Sequence, residues 1–261
     1  RRVTGESGLD VVGTVMAVPG VVDRASNAVN APNIGWRGVP AEALLTAALP
    51  EQVLGVRVDN EANLGALGEL WFGAGRGAGS YVYLSGEAGI GAGLVVDGEL
   101  FRGAHGAAGE LGHVVVDREG PPCACGGRGC VERIAGLDAV LRAAGVGGRA
   151  SRESVGELVR RVEEGDPRAA EAVGEAGDAL ALAMVAAVNL LDPDAVVLGG
   201  LYALLAGRLA ADVEAALRRS GGGLRGSVPT VRGSGLGMES AVRGAAGVVV
   251  RGVLDDPTVV G

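Results

Sequence analysis

No uninterrupted run of about eighteen apolar residues occurs in the 261-residue chain, so a continuous apolar membrane span is not expected. Positive charge is also in short supply, with 23 Lys and Arg against 31 Asp and Glu. The formal net charge of −8 and an isoelectric point near 4.9 argue against this segment gripping DNA or an anionic membrane by itself. Any DNA contact has to come from a module outside the chain. The opening RRVTGESGLD runs into a short apolar strand, not into the apolar core and cleavage site of a leader, so no signal peptide is expected and the cytoplasm is the expected compartment. Neither a solenoid-type repeat nor a low-complexity linker breaks the sequence. Cysteine is scarce, three in all, but its placement is informative.

What the chain does have is 48% hydrophobic residues and 48 glycines. The glycines fall as pairs and triplets between strongly apolar stretches, which favours many tight strand-to-loop turns over disorder. Residues 10–20 form an apolar run closed by Pro19-Gly20, as expected of a buried strand ending in a turn. Strands are predicted next at 53–60, as two runs about a glycine turn in 81–103, at 193–200, and in SVPTVRGS. Helices are predicted at 40–49, from Gly65 onward, and at 131–144, 154–164, 167–191, 204–219 and 238–254. Alternating strands and helices imply an α/β architecture with mainly parallel sheet, and the best internal boundary lies at 60–65. The chain starts at Arg1 without an initiator Met and enters an apolar strand almost at once, so it is expected to be part of a longer protein whose upstream residues or partner chain cover that strand's edge.

Cys123, Cys125 and Cys130 fall within eight residues, in PPCACGGRGCVE, with His113 ten residues before the first. Three thiolates and one imidazole suit tetrahedral zinc, and the glycines let the backbone aim all three sulfurs at one point. Three cysteines cannot all pair within one chain, and a core role does not explain their crowding into a glycine-rich loop. His113 alone reads as a plain structural histidine; its place upstream of the cysteines makes it a ligand. Four protein ligands leave no vacancy for water, so the zinc is structural.

Several polar residues interrupt the apolar pattern: Asn33 in APNIGW, Asn60, Glu61 and Asn63 in VDNEAN, Glu110 in GELGH, and Glu132 after the cysteine loop. Taken singly, each reads as a cap or turn residue. Together they differ, because GELGH and CVE flank the cysteine loop and a metal there draws Glu110 and Glu132 towards each other. His113 then has one ring nitrogen for zinc and the other for a ligand. Amides and carboxylates converging beside an ordered loop suit a polyhydroxylated ligand, whose hydroxyls need many fixed acceptors.

GVVDRASNAVNAPNIGW, VDNEANLGALGE, GIGAGLVVDGELFRGAHGAAGELGH, CACGGRGCVE and PDAVVLGG together resemble the ROK family of repressors and sugar kinases, over nearly the whole chain. The resemblance implies a two-lobed sugar kinase/actin-like (ribonuclease H-like) fold, with sugar between the lobes and a zinc loop in the second. Residues 1–64 are then a partial first lobe, joined by a closing helix at 238–254, and residues 65–237 the second. It implies Asn33, Asn60, Glu61, Glu110, His113 and Glu132 as sugar ligands, zinc on His113, Cys123, Cys125 and Cys130, a hexose or hexose derivative as ligand, and a homodimer.

Members of the family are sugar kinases or regulators carrying a winged helix-turn-helix. The kinases place an Asp after the Asn of the catalytic motif, where it takes the proton from the sugar hydroxyl; Glu61 stands there in this chain. Its longer arm moves the carboxylate by about an ångström, and a misplacement of that size can cost about 10²-fold. The kinases' phosphate turn G-T-G-I-G is replaced by Glu87-Ala88-Gly89-Ile90-Gly91. This removes a hydroxyl and adds a carboxylate, and like charges about 5 Å apart repel by roughly 3 kcal/mol at an effective dielectric of about 20. The kinases' N-terminal G-G-T loop has no counterpart in the sequence. The expected function is the sugar-sensing effector region of a transcription regulator, non-catalytic, reaching DNA only through a winged helix-turn-helix outside the chain. The alternatives are an ATP- and magnesium-dependent, glucokinase-like hexose kinase, and a protein that binds no sugar.

Overall fold

A computed structural model describes residues 11–49, 55–87, 89–225 and 228–260. Parts of the predicted strands at 10–20, 53–60 and SVPTVRGS, together with Ala88, lie outside them. Strand β1 (Thr14–Val18) is followed by a small antiparallel sheet of β2 (Val21–Val22), β3 (Val29–Ala31) and β4 (Trp36–Val39), then helix α1 (Ala41–Ala48) and β5 (Val56–Asn60). β5 pairs in parallel with β1, Val18 opposite Asn60, so the end of β1 and the polar residues at 59–61 share one sheet end.

Helix α2 (Glu61–Phe72) starts four residues before its predicted start at Gly65, because Asn60 caps it. The Asn60 Oδ1 accepts from the Ala62 and Asn63 amides at 2.8 and 3.0 Å, which stabilises the first turn. Next come β6 (Tyr81–Gly86), β7 (Ile90–Val96), β8 (Glu99–Phe101), α3 (Glu132–Ala135), α4 (Leu137–Ala143), α5 (Arg152–Glu163), α6 (Pro167–Leu191), β9 (Ala195–Gly200), α7 (Ala206–Arg225), β10 (Thr230–Gly233) and α8 (Ser240–Asp255). The single helix expected over 131–144 is two, split where Gly136 takes an extended ψ of 136°.

The five-stranded sheet runs β10-β9-β6-β7-β8, parallel through β10, β9 and β6 and antiparallel through β7 and β8. The expectation of a mainly parallel sheet is therefore corrected. The causes are local: β6 and β7 are joined by a short connection that closes at Gly86 opposite Ile90, and β7 and β8 by Asp97 and Gly98, both at positive φ, 51° and 76°, the tight turn that joins antiparallel strands.

Every residue of β6 and β9 is buried, which explains their continuous apolar spelling. With a side-chain period of two, Val82 and Leu84 face one core with Leu180, Met184, Leu209 and Val213, while Tyr81 and Tyr83 face α2 through Ala62 and Ala66. Helix α6 is long and apolar enough by composition to cross a membrane, but 56% of its apolar window is buried within the fold, as a core helix requires. On its outer side α2 meets α8 almost backbone to backbone: a Cβ on Gly68 would lie 2.2 Å from the Ser240 oxygen, and one on Gly244 1.8 Å from the Leu64 oxygen. Helix α8 also reaches β1, where Val249 fills the space beside Gly13.

Candidate functional site

The segment GELGH is pressed onto β7 by its glycines. A Cβ on Gly109 (φ 92°) would lie 2.2 Å from the Ala92 oxygen, and one on Gly112 2.3 Å from the Ile90 oxygen. Only glycine fits such an approach, so Glu110 and His113 are held at the mouth of the sheet. The cysteine loop folds back on the same place. Val131 donates to the Val114 oxygen at 2.9 Å, Val116 to Gly129 at 2.9 Å, and the Cys123 amide to Gly127 at 2.9 Å, with Gly126 and Gly129 at positive φ.

The fold thereby gathers His113, Cys123, Cys125 and Cys130, one ligand atom from each, within 4.8 Å of one another. Cys125 and Cys130 sulfurs are 3.7 Å apart, and the Cys123 sulfur is 3.6 Å from His113 Nδ1. A disulfide needs about 2.05 Å, whereas a tetrahedron of ligands about 2.3 Å from zinc has edges of about 3.8 Å. Donor set and spacing both fit a closed zinc site. Burial pushes the Cys123 thiol up to about 12, while the Gly127 amide holds Cys125 below its ordinary value; a bound dication would deprotonate both.

Two carboxylates bracket the histidine. Glu132, opening α3, places Oε1 3.0 Å from the Cys123 sulfur and 3.6 Å from His113 Nδ1. Glu110 Oε2 lies 3.6 Å from His113 Nε2. Burial raises the Glu110 pKa, the Glu132 charge raises it further, and His113 opposes both. With Nδ1 towards the cysteines, Nε2 is the nitrogen that faces outward beside Glu110.

Of the remaining candidate residues, Asn60 and Glu61 are gathered at the N-terminus of α2. Asn60 is occupied there: beyond its two cap bonds, Nδ2 donates to the Gly20 oxygen at 2.8 Å. Burial raises the pKa of Glu61. Glu87 is pushed up to about 7 by burial first and by the Glu61 charge second, so the two carboxylates share one field. Glu87 lies over the glycine turn after β9, where a Cβ on Gly200 would sit 2.8 Å from Glu87 Oε1 and 3.0 Å from Ser85 Oγ. Asn33 stands exposed in the turn Pro32–Ile34, and no described contact joins it to the other site residues.

Sequence reasoning passed over two buried polar groups, Asp59 and Glu69. Asp59 receives both arms of Arg102; its signal was an acidic residue inside an apolar strand. Glu69, fully buried in α2, accepts from the Ala74 amide at 2.6 Å, Ser240 Oγ at 2.8 Å, the Gly235 and Leu236 amides at 3.2 Å, and Ser234 Oγ. Apart from Ala74, its partners lie more than 160 residues away, which no local pattern could disclose. Asn63 Oδ1 is buried with no partner among the described residues.

The same arrangement of elements recurs in known proteins. A ROK glucokinase from Streptomyces griseus, solved with glucose and AMPPNP, superposes with a TM-score of 0.82 at 27% identity, covering 95% of this chain and 84% of that one. A ROK transcriptional regulator homologous to the E. coli MLC protein gives 0.77 at 26%, covering 95% and 65%. In sequence, the xylose repressor of Caldicellulosiruptor bescii is 35% identical over 202 residues, 72% of this chain and 50% of the repressor. A glucokinase of Halalkalibacterium halodurans is also 35% identical, over 219 residues, 77% of this chain and 65% of the enzyme. The chain thus spans about half of the repressor and about two thirds of the glucokinase. The ROK family model matches residues 5–251, and with the α/β sugar kinase-like fold in place, the chain belongs to the ROK family.

Proposed function

We propose that this chain is the sugar-binding effector region of a ROK transcription regulator and does not phosphorylate its sugar. The observation that carries the reading is the position of Glu87. Its side chain lies against Gly200 beside Ser85, on the turn where kinase relatives would need room and positive character for nucleotide phosphates. Burial leaves Glu87 titrating near 7, so at neutral pH the obstruction is as much steric as coulombic. Glu61 at the position of the kinase base adds a carboxylate with a longer arm than Asp.

The sugar would lie between the α2 N-terminus and the zinc loop. Glu110, Glu132 and His113 Nε2 would accept from or donate to its hydroxyls, with Glu61, Asn33 and the second Nδ2 hydrogen of Asn60 completing the ring. Structural zinc would be held by His113, Cys123, Cys125 and Cys130, fixing the orientation of Glu132 and the imidazole. In this reading residues 1–64 with 238–254 form the first lobe and 65–237 the second, and the protein is a homo-oligomer that meets DNA through a winged helix-turn-helix outside the chain. D-glucose and D-xylose are the first ligands to test, since a glucokinase and a xylose repressor are equally similar at 35%.

A thermal-shift series on the full-length protein, with each sugar and with ATP and magnesium, tests the proposal. Stabilisation by a sugar and none by ATP is expected. Turnover near the usual kinase range of about 1–100 per second in an ADP-release assay would replace the sensor reading with the kinase one.

A further inference from the structure

An ion pair joins the two groups of candidate site residues. Asp59, in β5 opposite Ala17 of β1, is only 8% exposed, and a carboxylate taken that far from water must be paired. Arg102, just after β8, donates from Nη1 to Asp59 Oδ1 at 2.7 Å and from Nη2 to Oδ2 at 2.6 Å. Two parallel bonds of this kind fix orientation as well as distance. Oδ1 also accepts from the Asn60 amide at 2.8 Å, so the ion pair is coupled to the residue that caps α2.

Each end of the pair leads into a different half of the candidate site. Asp59 is followed directly by Asn60 and Glu61. The Arg102 carbonyl accepts from the Ala108 amide at 3.2 Å, closing a loop whose next residues are Gly109, fixed on Ala92, and Glu110. Arg24, from the turn after β2, donates to the Gly103 oxygen at 3.2 Å and steadies the same loop from outside. For stability alone a buried ion pair is a poor device, because desolvation offsets most of its attraction. A fork at the base of one site loop, gripping the residue before the other, has a use that an apolar contact lacks: it fixes the distance across the cleft.

We propose that Asp59 and Arg102 are a positioning pair that holds the Glu61 side of the cleft in register with the Glu110–His113–Glu132 side, and so sets sugar affinity without touching the sugar. This rests on the sugar-binding reading above. The test uses full-length, zinc-loaded protein, with D-glucose and D-xylose titrated by calorimetry against wild type, Arg102→Met, Asp59→Asn and the double variant. Each single substitution should weaken binding about tenfold, the size of a typical coupling between sites, and Arg102→Lys, which keeps the charge without the fork, should fall between.

The double variant separates positioning from stability. It leaves no orphaned charge, so its sugar-free melting temperature should recover towards wild type while its affinity stays as low as the weaker single variant. It also carries the test if a single variant does not fold. Affinities within about twofold of wild type, or a double variant that regains affinity together with stability, would overturn the inference and leave the sugar reading standing. A wild type that binds neither sugar overturns the sugar reading, and the positioning role falls with it.

Discussion

Glu110 and Glu132 flank an imidazole beside a cluster of one histidine and three cysteines that could hold a metal, whereas burial raises the pKa of both Glu61 and Glu87 at the α2 end of the candidate site and the Glu61 charge raises that of Glu87 further. The first pair has an imidazole and a thiol for company, and glycines press the Glu110 loop onto β7. The second pair has burial, with the Glu61 charge acting on Glu87, which lies over the turn at Gly200. Both sides use the same residue type, so side-chain identity alone does not separate a binding carboxylate from an obstructing one. The neighbours do.

The largest effect that could break this contrast lies at the metal. Cys130→Ser should drop zinc from about one equivalent per chain to near zero. Zinc–thiolate binding is folding free energy, so a loss of several kcal/mol should lower the melting temperature by roughly 10 °C or more in a chain of this size. Elemental analysis and a melting curve check this together; a metal-free wild type of full stability would remove the zinc from the account.

Next come the binding carboxylates. Glu132→Ala or Glu110→Ala should weaken sugar binding by roughly 10- to 150-fold, the worth of a hydrogen bond to a charged group. Glu87→Ala should leave sugar affinity unchanged within error. Equal losses at all three would erase the distinction between the two sides. Reverting Glu87 to Gly, Ala88 to Thr and Glu61 to Asp should raise ATP affinity before any rate appears, because clearing the turn precedes correct placement of a base. An ATP titration monitored by fluorescence or calorimetry reads this directly.

The smallest effect is the pH response of Glu87. Its pKa is raised from the ordinary 4.5 to about 7, so between those values the folded state binds more protons than the unfolded one and stability falls as pH rises through the window. Glu87→Gln should remove that slope and stabilise the protein at pH 7 by about 1 kcal/mol once solvent screening is allowed for. Parallel melting curves of wild type and variant at pH 5 and pH 8 test the sign.

Much of this was legible in the chain because it depends on neighbours in sequence. The cysteine loop, GELGH and VDNEAN are local patterns, and the fold places the first two together as their spacing implied. The start of α2 at Glu61 is not reached by a helix begun at Gly65, although Asn60, taken singly, reads as a cap or turn residue and a cap there begins the helix at the next residue. The two runs about a glycine turn in 81–103 are antiparallel, and Asp97-Gly98 adds a third strand to them, so mainly parallel pairing holds only through β10, β9 and β6. The roles of Glu69, Asp59 and Arg102 are hidden for another reason. Arg102 lies 43 residues from Asp59 and Ser240 lies 171 from Glu69, and a buried charge shows its purpose only once the distant donor arrives.

The crossing of α2 and α8 has a mechanical consequence. At Gly68 and Gly244 no side chain separates the two backbones, so there is no compressible layer for one helix to slide over. At its far end the Glu69 carboxylate is bonded to Ser240, the first residue of α8. The two helices therefore act as a single stiff beam, with the Asn60–Glu61 end in the cleft and Val249 against β1. A tilt of a few degrees at one end has to reappear as a displacement at the other, and its size is set by the length of the beam and not by the strength of any contact along it.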